Sequence, residues 1–128
     1  MSEEDKSGLD AELELREHFA GKRGAPRLKS HLEVRLENRD VTLKGVAQDL
    51  SRSGVLVMLS GLVPGQFEEI IAWTSDQMKV RFVEPGIAVG AIPIRAVRVP
   101  KQDDVLIALQ FAGFLTSYQR RALGLDEA

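Results

Sequence analysis

The chain has 128 residues, 44% of them hydrophobic and none of them cysteine. That length fits one domain with its own core, and the absence of cysteine excludes a disulfide framework and thiolate metal sites. The formal net charge of −2 is unevenly spread: seven Asp/Glu against two Lys/Arg in residues 1–20, eight Lys/Arg against four Asp/Glu in residues 21–55, and near balance beyond. A local basic excess of this kind points to an anionic partner near residues 21–55.

Apolar runs such as GVLVML at residues 54–59 fall far short of the ~20 residues that cross a bilayer. The acidic start lacks the basic-then-apolar pattern of a secretory leader. The expectation is a cytoplasmic protein without membrane insertion.

In chain order, residues 7–20 read as a short helix. Ser7 and Asp10 stand in capping-box-like spacing, Leu9 and Leu13 supply an apolar stripe with Leu15 and Phe19, and Gly21 can close it. The stripe is a dimerisation candidate if it does not pack on the rest of the chain. Residues 21–30 (GKRGAPRLKS) carry no apolar periodicity and read as an irregular exposed segment. From residue 31 the period becomes two. HLEVRLE alternates as a half-buried strand, Asn38-Arg39-Asp40 supplies a turn, and VTLKGVAQDL (41–50) returns, with Gly45 suggesting a bulge or coil.

GVLVMLS (54–60) reads as a buried strand, and Gly61, Pro64 and Gly65 break the chain before QFEEIIAWT (66–74). MKVRFV (78–83) alternates again, and Pro85-Gly86 signals a turn. Residues 87–99 hold one long strand or two, kinked at Gly90 or Pro93, and DVLIALQF (104–111) is the last strand. Thr116 and Gln119 then form a second capping-box spacing for a C-terminal helix, 116–123, ended by Gly124. Six or seven short strands in succession, with tight turns and no helix between them, argue against a parallel sheet. They predict an all-β antiparallel barrel or sandwich with helices only at the ends. The predicted organisation is an acidic N-terminal segment, 1–20, followed by a β-barrel domain, 21–124.

Catalytic constellations are missing. His18 and His31 belong to no metal-ligand spacing, and there is no GxSxG elbow, P-loop or GxGxxG set. The adjacent pairs Glu68-Glu69 and Asp103-Asp104 would point to opposite faces of a strand rather than form a dyad. The expectation is therefore a binding protein rather than an enzyme, without metal or cofactor.

Two patterns remain. Arg23-Gly-Ala-Pro-Arg27 is an RxxxR preceded by Lys22. Arginine makes bidentate contacts with phosphate and with the O6/N7 edge of guanine, and its plane stacks on bases. Asp49-Leu-Ser51-Arg52-Ser53-Gly54 is a DxSxxG at a strand-to-strand junction. In extended chain Asp49 and Ser51 share a face. The carboxylate can accept from the N1–H and N2–H₂ edge of guanine, with the hydroxyl beside it. Gly54 allows a turn with positive φ or a close backbone approach by a ligand. An ordinary hairpin turn, with Asp49 and Ser51 bonding locally, is the competing reading.

Together, RxxxR and DxSxxG, with Arg27 and Asp49 22 positions apart, resemble the PilZ family. The resemblance covers residues 22–123, including ALQF (108–111) and the final helix. It implies a six-stranded antiparallel split barrel with a C-terminal helix that binds the second messenger c-di-GMP. It further implies that Arg23 and Arg27 grip guanine edges and phosphates, that Asp49 and Ser51 read a guanine edge, and that Gly54 holds the turn. By the same resemblance Lys22, just before the first arginine, is a further ligand-binding position where family members vary in how many ligand molecules they hold, and Arg52 is an additional phosphate contact. Gly24-Ala25-Pro26 departs from the bulkier residue common at that place in the family. The implied output runs through the loop and N-terminal segment to an unidentified downstream protein, in motility or biofilm regulation. A PilZ-like module that only contacts proteins is the alternative. Nucleic-acid binding is disfavoured, because aromatics do not interleave with the basic stretch.

Overall fold

The computed structural model describes residues 11–16, 28–63, 65–73, 77–99 and 104–125, with backbone only at 28–30. Six strands form a closed antiparallel barrel in the order β1-β2-β3-β6-β5-β4. They are β1 (Leu28–Asn38), β2 (Val41–Leu50), β3 (Gly54–Leu59), β4 (Met78–Phe82), β5 (Ile87–Val99) and β6 (Asp104–Phe111). Helix α1 covers residues 11–16, and α2 (Gln66–Ala72) and α3 (Ser117–Ala122) complete the fold.

The period-two segments form the strands, and their alternate residues fill the barrel. Val34 and Leu36 of β1, Val55 and Val57 of β3, Val80 and Phe82 of β4, and Ile107 and Leu109 of β6 belong to one interior cluster. Closure leaves no strand edge unpaired within the sheet. The interior is sealed by apolar residues from both helical connections: Ile70 and Trp73 from the α2 segment, and Leu115 and Leu123 flanking α3.

Three sequence expectations need correction. Helix α2 lies between β3 and β4, so helices are not confined to the chain ends. Its apolar residues Phe67, Ile70 and Ile71 have helical spacing, but the segment is only one or two turns long, too short for periodicity to separate helix from strand. Strand β1 starts at Leu28 rather than 31, because its first residues pair with the end of β2. In α1, Leu15 is 1% exposed and Ala11 packs beside it, while Leu13 is 47% exposed. Of the expected stripe, Leu15 is buried, with Ala11 beside it at i,i+4 spacing, whereas Leu13 faces outward. Leu9, Phe19, the Ser7/Asp10 cap and Gly21 lie outside the described residues.

A second apolar cluster sits outside the barrel. Leu15 packs with Leu56 of β3, Leu106 and Ala108 of β6, and Val97 and Val99 of β5. This explains why β3 and β6 read as continuous apolar runs: they are covered on both faces, inside by the barrel and outside by α1. Strand β5 contributes to both clusters because its pairing with β6 shifts between Pro93 and Arg95. Val89 and Ala91, before the shift, face the interior, whereas Val97 and Val99, after it, face the outer cluster. An irregularity of one residue exchanges faces in this way.

Candidate functional site

The DxSxxG segment spans the end of β2 and the start of β3. On β2 the interior positions are Leu43 and Ala47, and Asp49 would follow them inward if alternation continued. It does not, because the β2–β3 register shifts between Ala47 and Asp49. Leu50 takes the interior place, and Asp49 pairs with Leu56, a member of the outer cluster. The bulge at Gln48 therefore turns the carboxylate onto the outer wall. The sequence suggested a bulge at Gly45. There, glycine is required for another reason, since a Cβ would sit 2.7 Å from Val57 Cγ1 and 2.9 Å from the Met58 carbonyl oxygen.

Asp49 faces outward yet is only 3% exposed, and Ser51 only 2%. The turn is closed by the Ser51 amide, which donates to the Gly54 carbonyl at 2.9 Å. The Ser51 hydroxyl accepts from the Gly54 amide at 3.2 Å and the Ser53 amide at 3.3 Å. It also meets Ser53 Oγ at 3.2 Å and the Gly54 carbonyl at 3.4 Å. Ser51 thus organises its own turn, as the hairpin reading expects. Gly54 has no positive φ. Its missing side chain admits the Leu109 carbonyl of β6, which a Cβ would overlap, so the neighbouring strand approaches the backbone closely there. Arg52 and Ser53 are exposed at the tip.

Lys22, Arg23 and Arg27 lie outside the described residues, but the flanks of their segment are defined. On one side, Arg16 of α1 donates to Gln48 Oε1 at 3.0 Å and pairs with Glu12 at 2.9 Å. On the other, Leu28 is the Cα partner of Leu50 and Lys29 that of Asp49. The last described residue before that segment, Arg16, thus meets Gln48, and the first after it, Leu28, pairs with Leu50.

An open groove of about 530 Å³ adjoins the turn, lined by Arg52, Ser53, Phe111, Phe114 and Arg120 among others. Ser53, Phe114 and Arg120 are not among the residues that the sequence motifs mark as ligand-binding. Their one sequence signal was an aromatic residue between Gly113 and the capping Thr116, where the chain has left the strand pattern. Arg120 Nη1 donates to the Leu115 carbonyl at 2.8 Å and Nη2 to Ser117 Oγ at 3.2 Å, holding the loop that carries Phe114. Among the described residues no group of three His, Asp or Glu side chains could hold a metal, and no helix is long and apolar enough to cross a membrane.

No family model matches this sequence, and no curated protein matches it. Solved structures do match. Bacillus subtilis Inhibitor of motility (MotI/DgrA) aligns with a TM-score of 0.60 and 16% identity over 80% of this chain and 48% of that one. The K. pneumonia MrkH–c-di-GMP complex aligns at 0.57 and 15% over 80% and 50%. The PilZ domain of YcgR from Escherichia coli, with c-di-GMP, aligns at 0.51 and 18% over 80% and 86%. The chain spans about half the length of the first two. With the barrel order, the final capped helix and these neighbours together, the fold of this chain is that of the PilZ-domain proteins.

Proposed function

We propose that this chain is a c-di-GMP receptor domain in which the arginine segment closes over a ligand held against the outward end of β2. The observation that supports the reading is that the described residues on either side of the arginine segment, Arg16 and Leu28, meet Gln48 and Leu50, the neighbours of Asp49 on β2. Two structural neighbours are named as c-di-GMP complexes, which supports the choice of ligand. In this reading Arg23 and Arg27, with Lys22, supply charge-assisted bonds to phosphate and guanine. Asp49 accepts from a guanine edge, Ser51 and Gly54 keep the turn in shape, and Arg52 adds positive charge at its tip.

Ordering the arginine segment costs about 1–2 kcal/mol per backbone residue fixed, which several charged hydrogen bonds must exceed. Because Asp49 is covered in this structure, ligand access moves residues 1–30 relative to the barrel, and that movement is the signal passed to a downstream protein. The proposal includes a cytoplasmic setting and no catalytic step. Titration calorimetry with c-di-GMP, c-di-AMP and GTP tests it. Saturable binding selective for c-di-GMP is expected, abolished by Arg27→Ala and weakened at least tenfold by Asp49→Ala. Absence of binding by the unaltered chain leaves a protein-interaction module instead.

A further inference from the structure

Phe114 is unusual in this molecule. It is fully exposed, at 103% of its reference area, although its loop is held at both ends. The Ala112 amide donates to the Gly90 carbonyl at 2.8 Å. Leu115, the next residue, is 4% exposed within the interior cluster, and its carbonyl is held by Arg120 at 2.8 Å. Thr116 then closes a reciprocal cap with Gln119. A single exposed aromatic on a surface needs no explanation. This one stands in the groove that also holds two guanidinium groups, Arg52 and Arg120. The groove is continuous with the DxSxxG turn, because Ser53 lines it and bonds to Ser51. Its carbonyl also accepts from the Phe111 amide at 2.8 Å.

A flat apolar ring in a groove with positive charge suits a planar heterocycle joined to a phosphodiester. Aromatic faces stack on bases, and arginine supplies the contact for the attached phosphate. We propose that this groove receives one purine of the cyclic dinucleotide, with Phe114 as its stacking platform and Arg52 beside the phosphodiester. Arg120 is a positioning residue that holds the loop. The inference rests on the receptor reading above and deepens it, dividing the ligand between the Asp49 wall and the Phe114 groove.

The test is c-di-GMP titration of the full chain and of Phe114→Ala, Phe114→Leu and Phe114→Trp, with Arg27→Ala alongside. Since Phe114 is fully exposed, circular dichroism and thermal midpoints should match those of the unaltered chain. Phe114→Ala and Phe114→Leu should each weaken binding about tenfold, because leucine restores apolar bulk but no flat face. Phe114→Trp should retain affinity, and its added fluorescence should be quenched on saturation. Should the unaltered chain bind, lose binding with Arg27→Ala and bind equally well as Phe114→Ala, the receptor reading stands and this inference falls. Should the unaltered chain fail to bind, both fall.

Discussion

At the level of single residues, Gly54 shows how a motif position can be required by the strand beside it. Its Cβ position is occupied by the Leu109 carbonyl of the neighbouring strand, and that carbonyl is part of a hydrogen-bonded sheet that cannot shift without disturbing β6. Gly54→Ala should therefore destabilise the fold by about 1–3 kcal/mol, the usual cost of overpacking, and lower the thermal midpoint by several degrees. Differential scanning calorimetry reads it, and an unchanged midpoint would mean that β3 and β6 can separate locally at no cost. Ser51 has a comparable double character. Its hydroxyl holds two amides of the turn, so in a ligand-bound state it would have to serve the turn and the guanine together. The sequence shows Asp, Ser and Gly at these spacings. It does not show that one of them packs against a carbonyl and another ties its own loop.

Among the elements, the strands were the most readable part of the chain. Alternation at Val34/Leu36 and Met78/Val80/Phe82 marks one buried face, and the capping box of Thr116 and Gln119 forms as the spacing predicts. The features that aim the site were not readable. The bulge at Gln48 carries no glycine or proline, and it is set by how β2 meets β3 in three dimensions. The choice of Leu15 over Leu13 as the buried residue of α1 follows from an outer apolar wall assembled from β3, β5 and β6, elements far away in sequence. This docking gives α1 a role that can be tested. It joins the barrel through Leu15 and through Arg16 on Gln48, next to the covered Asp49. Leu15→Ala should free the helix and leave the barrel folded, so amide exchange in residues 11–16 should become fast. If α1 helps hold the site closed, the competent population rises and apparent affinity for c-di-GMP rises with it, severalfold by titration. Adding c-di-GMP to the unaltered chain should likewise change exchange across residues 1–30. Weaker binding by Leu15→Ala would make the helix part of the bound state rather than a cover over it.

For the whole molecule, the barrel depends on one closing seam. Strand β1 pairs with β4 through residues 34–37 and 79–82, with the Val83 amide donating to the Glu33 carbonyl at 3.0 Å just beyond, and closure there joins β1 to β4. On the outer face of that seam Lys44, Arg35 and Arg81 fall in one cross-strand row, and like charges placed opposite each other weaken a sheet. Glu37 offsets the row. Arg81 Nε donates to Glu37 Oε2 at 3.0 Å and Nη2 to Oε1 at 3.2 Å, a two-bond fork across the seam. That hydrogen bonding from Arg81 is the main reason the Glu37 carboxyl is held below its ordinary range, with the nearby charges of Arg81, Lys79 and Arg35 acting in the same direction. A carboxyl whose pKa is lower folded than unfolded binds fewer protons in the native state. Its contribution is present above the unfolded value and is lost as pH falls through the folded one. The pair is exposed, so the contribution is small, and it is best read as a difference. In urea titrations the unaltered chain should exceed Arg81→Met in stability near neutral pH. That gap should narrow steadily as the pH drops below the ordinary carboxylate range, because a protonated Glu37 no longer offers a charged fork. A gap that stays constant down to the acid transition would place the value of Arg81 in packing along the seam instead of in its pairing with Glu37.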